Sequence, residues 1–74
     1  MITEEEFFKY LGRNIKKARL ERGITLEEFA LKTGFTEEKL LKIEEGSFKR
    51  ITICNIHEIA RCLNIKIYDL LEDI

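Results

Sequence analysis

The residues of this chain best suited to chemistry are its cations, and they fall into two groups. Lys9, Arg13, Lys16, Lys17, Arg19 and Arg22 crowd one segment, and Lys39, Lys42, Lys49 and Arg50 form a second. Ammonium and guanidinium groups donate charge-assisted hydrogen bonds to phosphate oxygens, and both match the O6 and N7 acceptors of guanine. The acids collect at Glu4 to Glu6 and at Glu72 and Asp73. The formal net charge is −1, which taken alone argues against a polyanion as partner. The distribution is more informative, because a chain that is nearly neutral overall can still carry one basic face. A solvated surface of mixed sign is the plain alternative.

A second constellation is weaker. Cys54, His57, Glu58 and Arg61 lie close together in sequence. They offer no nucleophile, base and orienting group in a recognisable set, and no oxyanion site, so catalysis is not expected. Cys54 and Cys62 share one helical segment at a spacing that places them about 12 Å apart, too far for a disulfide. Both read as reduced thiols of a cytoplasmic protein, Cys62 as a small core residue. His57 is the sole histidine and no C-x-x-C occurs, so neither a metal nor a cofactor is expected.

The stretch that must position the second group of cations is Thr25 to Gly46, TLEEFALKTGFTEEKLLKIEEG. Thr25 and Glu28 make a capping box that opens a helix from about Leu26 to Lys32. Gly34 stands where the chain turns sharply. Thr36 caps a second helix that runs to about Glu45, and Gly46 ends it. Phe29, Phe35, Leu40 and Ile43 supply the contacts between the two, and small Ala30 lets them cross closely. Two helices joined at a steep angle through a short glycine-containing turn form a helix-turn-helix.

The flanking segments must supply its scaffold. Thr3 and Glu6 cap a first helix with an apolar stripe at Phe7, Phe8, Leu11, Ile15 and Ala18. Gly12 inside that helix predicts that another element passes close by. Thr52 caps a fourth helix with the face Ile53, Ile56, Ile59, Ala60 and Leu63, closed by Asn64. A short fifth helix spans about Ile67 to Glu72. With 74 residues, 45% hydrophobic and 36% charged, the expectation is one all-α domain over residues 1–74. No apolar run reaches the ~18 residues of a membrane span, and the acidic start MITEEEFF is unlike an export signal.

Over nearly its whole length the chain resembles the Cro/repressor-type, or xenobiotic-response-element, helix-turn-helix family of prokaryotic regulators. LGRNIKKARLERG resembles the family's first helix, TLEEFALKTGF its second helix and turn, TEEKLLKIEEG its recognition helix, and IHEIARCLNI with IYDLL its last two. The short length and fourth helix are similar to restriction–modification controller proteins. The resemblance implies a five-helix domain that offers Thr36 to Lys42 to the major groove of double-stranded DNA. It also implies a homodimer on a palindromic operator. It further implies an ion pair between Arg19 and Glu44. Surplus apolar residues at Ile67, Leu70 and Leu71 are expected near the dimer contact.

On this reading Thr36, Glu37, Glu38, Lys39 and Lys42 reach base edges, with lysine donating to guanine and glutamate accepting from cytosine N4. Backbone amides at Leu26 and Thr36, with Lys49 and Arg50, meet phosphates. The chain departs from the family pattern in three places. Leu26 replaces a polar residue, usually Gln. Glu37 and Glu38 replace polar or basic ones. The loop SFKRIT is one residue longer. The acidic pair and an exposed Leu41 suit a rival reading, in which the same fold binds another regulatory protein, as an antitoxin does, with weak DNA affinity or none.

Overall fold

Threonine decides where each α-helix begins. In the computed structural model, which describes residues 2–74, the hydroxyls of Thr3, Thr25, Thr36 and Thr52 each accept a backbone N–H three residues on. Glu6, Glu28 and Asn55 reach back to complete capping boxes. Donation from the Thr3 and Thr25 amides holds the Glu6 and Glu28 carboxyls below the ordinary carboxylate range. The helices so defined are α1 (Glu4–Glu21), α2 (Leu26–Thr33), α3 (Glu37–Glu45) and α4 (Ile53–Leu63).

Each apolar stripe faces a common centre. Leu11 and Ile15 of α1, Phe29 of α2, Leu40 and Ile43 of α3, and Ile56, Ile59, Ala60 and Leu63 of α4 are buried together. α1 packs against α3 and α4, and α2 bridges the same two helices. The crossing of α1 and α3 is close enough to require Gly12. A Cβ there would collide with the carbonyl oxygens of Ile43 and Glu44, coming within 2.6 Å of the latter.

The same crossing carries the buried ion pair. Arg19 donates from Nε to Glu44 Oε2 at 2.7 Å and from Nη2 to Glu44 Oε1 at 3.1 Å. Its Nη1 donates to the Ile24 carbonyl at 2.8 Å, so one guanidinium binds α1, α3 and the α1–α2 link. The two side chains are only 8% and 2% exposed.

The second half of the chain differs from expectation in four respects. The fifth helix is a 3₁₀ helix, Ile67–Leu71, and not an α-helix. Asn14 Nδ2 captures the carbonyls of Leu70 and Glu72, both at 2.8 Å, which draws them away from further helical bonding. Leu70 is wholly buried in the core, so it is withdrawn from the expected dimer contact. Ile53, assigned to the buried face of α4, is 66% exposed, because at the first helical position it outruns the elements that cover the rest of the stripe. Cys62 is half-buried and donates its thiol to the Lys32 carbonyl at 3.2 Å, at the edge of the core and not within it. No helix among the described residues is long and apolar enough to cross a membrane.

Removing one partner of a buried ion pair leaves an uncompensated charge, whereas removing both does not. Glu44→Ala is expected to cost about 3–5 kcal/mol, a large part of the stability of a domain this small. The double change Arg19→Met with Glu44→Leu should cost far less than the single one. Urea denaturation of the two variants checks this, and equal losses would contradict it.

Candidate nucleic-acid interface

α3 stands at the surface because of the turn before it. Thr33 Oγ1 donates to the Phe29 carbonyl at 2.8 Å and accepts from the Phe35 amide at 3.2 Å. Gly34 takes φ +80°, the left-handed conformation that glycine adopts without cost. The chain therefore reverses in three residues, and α3 starts at Thr36 with its inner face already fixed. Leu40, Ile43 and Glu44 point inward. Thr36, Glu37, Glu38, Leu41 and Lys42 are exposed.

The exposed side chains are not equivalent. The Thr36 hydroxyl is engaged as a cap, accepting the Lys39 amide at 3.0 Å. Glu38 is partnered within the helix, with Lys42 Nζ 3.2 Å from its Oε1. That pairing is the i,i+4 arrangement on one helical face, and it offsets one carboxylate with one ammonium. Glu37 has no side-chain partner among the described residues.

Lys39 is half-buried, and its ammonium lies 4.2 Å from the Phe35 ring centroid and 5.3 Å from that of Phe48. Both distances are within the range of cation–π attraction. Nothing in the spacing of these residues announces this contact, since Phe48 comes from beyond the end of α3.

Lys49 and Arg50 lie in the turn after α3, and both are exposed. The start of that turn is held by the Ser47 amide donating to the Lys42 carbonyl at 2.9 Å. Lys49 Nζ is 3.7 Å from Glu5 Oε1 of α1, so an acid of the first helical turn already sits beside one of the two cations. Arg50 has no side-chain partner among the described residues. The Leu26 side chain is half-buried and packs against the core, leaving its backbone at the first turn of α2 as the part available to a ligand. Amides of a first helical turn have no intrahelical acceptor and suit a phosphate oxygen.

Two cations at α1 and its C-terminal end are otherwise occupied. Arg13 stacks over the Tyr10 ring at 4.8 Å, and Arg22 donates to the Leu63 and Ala18 carbonyls at 2.6 and 3.0 Å. Glu58 and Arg61 form an ion pair on α4 that holds the Glu58 carboxyl below its ordinary range, while burial raises the Cys62 thiol. No cluster of three or more His, Cys, Asp or Glu among the described residues could hold a metal ion.

A groove of about 580 Å³ lies between α4 and the terminal 3₁₀ helix, lined by the apolar Ala60, Ile65, Ile67, Tyr68 and Leu71 and by the polar His57, Arg61 and Lys66. Ile67 is half-buried there, while Tyr68 is 66% and Leu71 37% exposed.

This arrangement has known counterparts. The family model for the Cro/C1-type HTH DNA-binding domain matches residues 14–74. The uncharacterized HTH-type transcriptional regulator y4dJ of Sinorhizobium fredii is 31% identical over 62 residues, which is 84% of this chain and 79% of that protein. The fold is similar to that of the restriction–modification controller protein C.AhdI from Aeromonas hydrophila. The TM-score is 0.80 at 22% identity, over 85% of this chain and 94% of that one. SinR, the master regulator for biofilm formation, has been solved in complex with DNA. It is 29% identical, with a TM-score of 0.77 over 84% of this chain and 98% of that one. With the outward α3, the glycine turn and the basic loop behind it, the matches lead to one conclusion: the chain belongs to the Cro/C1-type helix-turn-helix DNA-binding domain family.

Proposed function

We propose that this protein is a cytoplasmic, sequence-specific regulator of transcription that binds a palindromic operator as a homodimer. The observation that carries this reading is the exposure of the first turn of α3 at the surface, away from the buried Leu40 and Ile43. Thr36, Glu37, Glu38 and Lys42 lie on the side offered to base edges. Glu37, free of partners, suits a cytosine N4 donor, and Lys42 a guanine. Lys49 and Arg50, with the first-turn amides of α2 and α3, suit phosphate oxygens. SinR, of the same fold, binds DNA. The second copy seats on the groove between α4 and the 3₁₀ helix, where Ile67, Tyr68 and Leu71 leave apolar surface uncovered.

A second reading, a module that binds another regulatory protein, draws on the unpaired Glu37 and on Leu41, which is 45% exposed on α3. A pull-down that returns one protein, together with failure to enrich any sequence from a random DNA pool, supports that reading over the first.

Phosphate contacts give affinity a steep dependence on salt, about 0.9 in slope for each contact. Lys49→Ala with Arg50→Ala removes two contacts per protomer and four per dimer. The slope of log affinity against log salt should therefore fall by roughly three to four. Anisotropy titrations at several salt concentrations measure it, and an unchanged slope removes this loop from the interface.

Glu5 competes with phosphate for Lys49. Glu5→Gln is expected to tighten binding by about two- to fivefold at low salt, with the gain fading as salt screens the pair. Weaker binding by this variant would show that Glu5 helps to position Lys49.

Leu71→Glu places a charge in the proposed contact. Sedimentation should then show a single-chain mass at concentrations where the parent protein is dimeric, with helicity unchanged. A dimer that survives the change lies on another face.

A further inference from the structure

We propose that Lys39 is a positioning residue. Its ammonium, clasped between the Phe35 and Phe48 rings, sets the Ser47–Arg50 loop for its phosphates, and it reads no base. The proposal rests on the DNA-binding reading above and assigns Lys39 a different task from its neighbours on α3.

Three observations carry it. The ammonium is 4.2 Å from the Phe35 centroid and 5.3 Å from that of Phe48, one ring on the turn before α3 and the other on the loop after it. Lys39 is half-buried where Glu38 and Lys42 are exposed. Both phenylalanines are half-buried and pack against the core from opposite ends of α3, and the cation is the contact that joins one to the other. To reach a guanine edge, the ammonium would have to leave two aromatic faces and expose them to water. Apart from the packing of Phe48 against the core, the loop has few other ties. Its start is held by bonds to the Lys42 carbonyl, and Lys49 meets only the exposed Glu5. Phe48 immediately precedes Lys49 and Arg50, so the ring that Lys39 holds sets where those two cations stand.

Two substitutions separate the cation from the stem that carries it. Lys39→Met keeps an unbranched apolar side chain and loses the charge. Lys39→Arg keeps a cation able to stack on both rings. In the free protein, the ¹⁵N heteronuclear NOE of residues 47–50 should drop in Lys39→Met and return to the parent value in Lys39→Arg. Each protein is then used to select from a random duplex pool. All three should enrich the same consensus, with affinity for it reduced about tenfold in Lys39→Met and restored within about twofold in Lys39→Arg.

Loss of a preferred base pair at one operator position in Lys39→Met would overturn the proposal, because it would make Lys39 a reader. Unchanged loop dynamics in Lys39→Met would overturn it as well. Failure of the parent protein to enrich any consensus is a different result: it defeats the DNA-binding reading itself. Should Lys39→Met lose helicity by circular dichroism, Lys39→Gln takes its place with the same two readouts.

Discussion

A guanidinium laid flat against a carboxylate in a nearly dry interior is an expensive arrangement unless each of its nitrogens finds an acceptor. Arg19 meets that condition with three hydrogen bonds, two to Glu44 and one to the Ile24 carbonyl. The geometry of such a pair is specific, because the planar fork of arginine matches a carboxylate in one orientation. The pair therefore does more than join α1 to α3: it fixes how far α3 is rotated about its own axis. Gly12 acts at the same crossing from the other side, since its missing Cβ lets the backbones close up against the Ile43 and Glu44 carbonyls. Rotation and distance are both settled on the buried side of α3. The outward side, which carries Glu37, Glu38 and Lys42, has its direction determined by contacts it does not make.

The charge pattern follows a similar division. Net charge is −1, yet many of the charges are spent inside the molecule or in local pairs. Arg19 is buried, Arg22 serves backbone carbonyls, and Arg13 lies on Tyr10. Glu6 and Glu28 are consumed by capping, and Glu38 by Lys42. Beside α3, Glu37, Glu45, Lys9 and Arg50 remain without an ion pair among the described residues, and Lys49 is loosely held by Glu5. A count of charges over the whole chain says little about the potential a ligand meets. The count that matters is of those groups left after the fold has used the others.

Much of the fold is legible in the sequence because it is written in local chemistry. Threonine with glutamate three residues on, a glycine at a helix end, and apolar residues at helical spacing each act within a few residues, and Thr25, Gly34 and the Leu11–Ile15 stripe sit where those rules put them. The glycine inside α1 is legible in the same way, since it costs helix stability and asks for a reason. What escapes is contact between distant residues. Ile67–Leu71 has the apolar content of an α-helix but is a 3₁₀ helix, and its end is held by Asn14, 56 residues from Leu70. Leu70 is fully buried in that segment, and a residue that looks surplus on paper is core. The Lys39 contact hides for the same reason, because Phe48 arrives from the loop beyond the end of α3.

The Asn14 amide closes the molecule by holding the last turn of chain down on α1. The groove between α4 and the 3₁₀ helix exists only while that clasp is shut, because one of its walls is the clasped segment. A second copy seated there, as proposed, would bind the closed form alone, and its apparent dissociation constant would be the intrinsic one divided by the closed fraction. Fraying of the chain end and loss of a partner are then the same event viewed from two sides. A change at Asn14, which is half-buried and does not line the groove, would act as an adjustment of affinity.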